Sequence, residues 1–185
     1  MTLNKPLRIL LVTNSMILFS TAMLGPIYAL FVEKVGGSLL DAGFAGGVFA
    51  LAAGITVIFS GRYSDKIKQS ELVVVFGYII IGSGYLLYTQ VNSIWMLLLV
   101  QVLVGFGEAI YSPAFDSIYS QHLSLTKAAR QWGAWEATNY FSIAIGAVFG
   151  GFIATVFGFK ILFFIMATLC FASAVYIIRL PRKTL

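Results

Sequence analysis

The sequence predicts an all-α protein built from six membrane-spanning helices, and three observations carry that expectation. Of the 185 residues, 59% are hydrophobic and only 10% are charged, whereas soluble domains average about 45–50% apolar and about 25% charged. Mean hydropathy is +0.93. The few charges cluster, leaving long uncharged runs between them. A hydrocarbon core about 30 Å thick needs only about 20 apolar residues in helical form.

Taken in order, the runs 9–32 and 42–61 each suffice for one span. The run 72–107 is too long for one and divides at QVNS, 90–93, where turn-favouring polar residues stand. Two further runs, 137–159 and 161–178, complete the set. The expected helices are 7–32, 40–61, 71–90, 94–119, 131–157 and 160–179, in a single domain covering residues 1–185. The first run exceeds the apolar segment of about 7–15 residues in a secretory signal, so it is expected to be retained. The closing RLPRKTL is expected to be a natural end. Cys170 is the only cysteine, which excludes a disulfide within one copy.

Six spans put both termini on one side. That side would carry Lys5, Arg8, Arg62, Lys66, Lys68, Lys127, Arg130, Arg179, Arg182 and Lys183, leaving only Lys34 and Lys160 of the 12 Lys and Arg residues on the other. The basic side is expected to be cytoplasmic, giving a multi-pass protein of the cell membrane. Anionic lipid headgroups account for the net charge of +5, and no nucleic-acid partner is called for.

Gly25-Pro26 in the first span and Ser112-Pro113 in the fourth lie at matching depth, 87 residues apart. Each is expected to bend its helix or free a carbonyl, and the recurrence fits either a three-helix internal repeat or coincidence. Small residues line the second span at Gly43, Gly47, Ala50 and Gly54, and the fifth at Gly146, Gly150, Gly151 and Ala154. Such stripes let helix backbones approach closely, within one bundle or between two.

In the fourth span, Gln101, Gly105, Glu108 and Ser112 share a face, with Tyr111 beside it. A charge near the bilayer midplane costs about 2.5–3.5 kcal/mol, and intramembrane acids mark functional sites. Glu108 is therefore the leading site residue, able to bind a cationic solute or carry a proton. The alternative is a structural glutamate fastened through Asn14 or Asn139. Asn14, Tyr28, Asn139 and Tyr140 are further cavity candidates, and Glu136 adjoins the last two. Trp95, Trp132 and Trp135 fit an interfacial aromatic belt. His122, the one histidine, is expected to be a solvated loop residue, without ligands at metal spacing. Neither a cofactor nor a metal is expected. The absence of a Walker loop or a Gly-x-Ser-x-Gly nucleophile speaks against an enzyme.

GRYSDK, 61–66, follows the second span and resembles the signature loop of the major facilitator superfamily, with Gly61, Ser64, Asp65 and Lys66 on the pattern. QVLVGFGEAIYSPA in the fourth span is similar to that family's fourth-helix motif at Gln101, Gly105, Gly107 and Ala109, with Gln101 standing where the family has arginine. GAVFGG, 146–151, is similar to the fifth-helix antiporter motif but lacks its glycine-proline step. The family has twelve helices in two like halves, with substrate between them near the midplane. The resemblance therefore implies a half-length member.

Such a member is expected to move a small solute by alternating access as a symmetric homodimer, with or without proton coupling, its site at the subunit interface. Gly43, Gly47, Gly54, Gly146 and Gly150 would pack helices or the two copies. The resemblance further implies a cytoplasmic latch in which Asp65, with Gly61, Arg62 and Lys66, meets the start of the partner's fifth helix and Arg130. Asp116 would balance Arg62. A half-transporter needing a different partner chain, or a non-transporting interaction protein of the same fold, is the alternative.

Overall fold

The computed structural model describes residues 3–64, 66–67 and 69–181. Asp65, Lys68, Arg182 and Lys183 lie outside them. The described residues form helices only: α1 (Lys5–Leu24), a short 3₁₀ turn (Gly25–Ile27), α2 (Tyr28–Lys34), α3 (Leu39–Ser64), α4 (Ser70–Tyr88), α5 (Ile94–Gln121), α6 (Ala128–Phe157) and α7 (Phe159–Ile178). With α1 and α2 taken together, six segments are long and apolar enough to cross a membrane.

Local chemistry sets the ends. Asn4 caps α1 by accepting from the Leu7 amide at 3.0 Å, and Pro6 occupies the first turn, where its missing N–H costs nothing. Its amide nitrogen donates to the His122 carbonyl at 2.9 Å, tying the start of α1 to the end of α5. Ser38 and Asp41 cap α3 reciprocally: the Asp41 carboxylate accepts from the Ser38 amide at 2.8 Å, and the Ser38 hydroxyl accepts from the Asp41 amide at 3.3 Å. Ser93 caps α5. Gly158 alone joins α6 to α7, with φ at +82°, a left-handed conformation glycine adopts without strain.

The two proline sites behave differently. At Gly25-Pro26 the first segment changes from α to 3₁₀ geometry. At Pro113 the helix continues unbroken through α5. Proline there removes the amide that would bond the Ala109 carbonyl four residues back, and that carbonyl accepts instead from the Ser60 hydroxyl of α3.

Neighbour relations run α3, α5, α4, α7, α1, α6, so α3 leans on α5 at one edge and α6 on α1 at the other. The α1–α7 seam is pinned by Ser20 Oγ donating to the Met166 carbonyl at 3.0 Å and Ser173 Oγ donating to the Thr13 carbonyl at 2.7 Å. Interhelical bonds of this kind substitute for a hydrophobic driving force that lipid does not supply. Cys170 is buried in this seam, its sulfur 3.8 Å from Ser20 Oγ. Between α1 and α5 the contact is slight.

Candidate functional site

Three membrane-length segments place polar residues seven positions apart: Asn14, Thr21 and Tyr28 along α1 and α2, Tyr78 and Tyr85 on α4, and Gln101 and Glu108 on α5. Seven residues are nearly two helical turns, so each set returns to one face with a rise of about 10 Å. The sets meet as rungs. Tyr78 donates its hydroxyl to Asn14 Oδ1 at 3.4 Å, Tyr85 and Thr21 share a hydrogen bond at 2.9 Å, and Gln101 Nε2 donates to the Tyr28 hydroxyl. Buried amides and hydroxyls are thereby satisfied inside an otherwise apolar bundle.

Glu108 stands at the middle of this ladder. It is half-buried, and its Oε1 accepts from the Tyr111 hydroxyl at 3.0 Å. The Tyr111 ring meets the Tyr78 ring edge-on, with centroids 5.0 Å apart, which links the glutamate to the Asn14 rung. Neither Asn14 nor Asn139 bonds Glu108 among the described residues; the glutamate is held from its own helix, one turn away.

The remaining candidates spread more widely. Ser112 is half-buried one turn beyond Glu108. On α6, Asn139 is half-buried, Glu136 is exposed and Tyr140 is 68% exposed. Of the latch candidates, Gly61 and Arg62 stand in the last turns of α3, which runs on to Ser64 rather than ending before a loop at 61; Gly61 is half-buried, and Arg62, Lys66, Asp116 and Arg130 are exposed. Asp65 lies outside the described residues.

The two glycine stripes separate in space. A Cβ at Gly150 would overlap the Met23 backbone and one at Gly146 would crowd Ala22, so this stripe seats α6 against α1 of the same bundle. Among the described residues, Gly43, Gly47 and Gly54 have nothing within 4 Å of such an atom, so their face of α3 meets no neighbour there.

His122 is half-buried in the turn after α5, with Nδ1 2.9 Å from the Ile118 carbonyl. Trp132 and Trp135, near the start of α6, are half-buried and pack on one another, and Trp132 also packs on Tyr119; Trp95 is 80% exposed. Sequence reasoning missed Tyr78, Tyr85 and Thr21. The recurring step of seven was the available signal.

The family model of the Major Facilitator Superfamily matches residues 10–185. The chain belongs to the major facilitator superfamily. Within the family it is similar to an uncharacterized MFS-type transporter of Methanocaldococcus jannaschii, 25% identical over 173 residues, covering 94% of this chain and 45% of the relative. Multidrug resistance protein MdtG of Dickeya zeae is 26% identical, with 90% of this chain and 42% of the relative covered. The same-named protein of Proteus mirabilis is 26% identical, with 94% and 44% covered. The chain thus spans less than half the length of these curated relatives. Its six membrane-length helices match a half-length superfamily member, and it is a multi-pass membrane protein.

Proposed function

We propose that this superfamily member moves a small solute across the membrane by alternating access, as a symmetric homodimer whose site lies where two copies face each other. The observation that carries the reading is the polar ladder itself: Thr21 is exposed and Glu108 only half-buried, so a single bundle leaves these ladder residues without a covering wall. A like bundle would supply that wall, and the unoccupied glycine face of α3 would let its backbone approach. Related proteins named for multidrug resistance favour an amphipathic solute, and Glu108 would attract a cation or exchange a proton with it.

The basic residues of that end support a cytoplasmic position for both termini. The Asn4 to His122 bond is consistent with this, since it joins two of the connecting regions assigned there. The latch reading places Asp65 of one copy against the first turn of α6 in the other. Lys127 makes no side-chain cap there, leaving first-turn amides that favour a negative charge, and Arg130 stands exposed beside them. Gly61, Arg62 and Lys66 would shape the loop, and Asp116 would balance Arg62.

Particle mass in nanodiscs, paired with solute uptake into liposomes, tests the proposal. A particle of two copies that takes up solute is expected. Full-rate uptake by a particle of one copy would overturn it. The shorter span relative to the relatives favours one second reading, a bundle that pairs with a different half, and a two-chain particle of unequal partners would establish it.

A further inference from the structure

At the end of the bundle away from the 61–70 connection, a cavity of about 530 Å³ opens between the end of α2, the end of α4 and the α6–α7 junction. Four rings wall it. Phe31 meets Phe163 edge-on at 4.9 Å between centroids, Tyr88 stacks on Phe163 at 5.0 Å, and Phe159 lies 5.3 Å from Phe31. At its edge stand Lys34 and Lys160, the two basic residues assigned to this end by the sequence. Lys34 Nζ sits 5.5 Å from the centre of the Phe159 ring, which holds the ammonium over an aromatic face. The acids of the same end do not line the cavity: Asp41 is engaged by Ser38, and Glu33 is exposed.

An apolar, ring-walled hollow with two cations at its rim asks for a molecule that is apolar at one end and anionic at the other. Its position at the end of six membrane-length helices puts the rim at headgroup depth. We infer that the cavity holds an anionic phospholipid, one acyl chain against the rings and the headgroup phosphate between Lys34 and Lys160. This inference does not depend on the transport reading. Each lysine beside an anionic lipid is worth about 1 kcal/mol, or about fivefold in affinity.

The test places an environment-sensitive fluorophore at the cavity. Asn92 lines it and is exposed, so an Asn92→Cys variant can carry bimane while Cys170 stays protected by burial. In phosphatidylcholine nanodiscs, brominated phosphatidylglycerol should quench the label at a lower lipid fraction than brominated phosphatidylcholine. Lys34→Gln and Lys160→Gln should each shift the phosphatidylglycerol midpoint about fivefold upward, with the phosphatidylcholine curve unmoved. Equal quenching by the two lipids, or midpoints indifferent to both lysine substitutions, would overturn the inference. Quenching by a brominated fatty acid but not by phosphatidylglycerol would overturn the phospholipid as occupant.

Discussion

The Tyr78 hydroxyl donates to Asn14 Oδ1 across the α1–α4 boundary, 3.4 Å apart and 64 residues apart in the chain. Both residues are buried, Tyr78 completely. Interhelical hydrogen bonds in membranes average about 0.6 kcal/mol, with a maximum near 1.7. A double-mutant cycle with Tyr78→Phe and Asn14→Leu should therefore return a coupling of about 0.6 kcal/mol in detergent unfolding. A coupling of zero would mean that the contact is not formed in solution.

The glycine stripes make opposite predictions. Gly150→Ala puts a methyl into the Met23 backbone and should destabilise the bundle by about 1–3 kcal/mol or more. Gly47→Ala meets open space and should change stability by less than about 0.5 kcal/mol. Thermal unfolding of the two variants checks this directly. On the dimer proposal, a bulkier Gly47→Leu should leave the bundle folded yet lower the fraction of two-copy particles.

Asn4 serves two partners at once, the Leu7 amide and the His122 carbonyl. Asn4→Ala should cost about 1 kcal/mol through the lost cap. Hydrogen exchange should accelerate in the first turn of α1, and the last turn of α5 should also become less protected. Faster exchange in α1 alone would indicate that only the cap contributes.

Glu108→Gln keeps an oxygen that can accept from the Tyr111 hydroxyl while removing the site's capacity to exchange a proton. Stability should stay within about 0.5 kcal/mol, and uptake into liposomes should lose its dependence on a pH gradient. Uptake that keeps that dependence would remove Glu108 from any proton path.

Much of the helical architecture was legible because charge and hydropathy report directly on lipid exposure, and Gly25-Pro26 announced the change of geometry observed there. The polar ladder was legible only in part. Glu108 and Gln101 stand out because their side chains are costly in hydrocarbon, whereas a tyrosine such as Tyr78 or Tyr85 reads as one more bulky ring in an apolar run. Its hydroxyl acquires meaning only when a partner 64 residues away is in place. The glycine stripes were equally visible in the sequence, but composition does not say which neighbour a smooth face meets. Backbone contact decided that Gly146 and Gly150 are used within the bundle and that Gly43, Gly47 and Gly54 are not.

Pro113 and Ser60 compensate one another: the proline leaves a vacant acceptor on α5, and a hydroxyl on α3 fills it. Restoring the missing amide by Pro113→Ala would hand the Ala109 oxygen back to its own ladder and leave the serine only its contact with the Val57 carbonyl on its own helix. Helix α3, held chiefly by α5, would then lose a rivet, so a change that repairs one helix in isolation would loosen the pair.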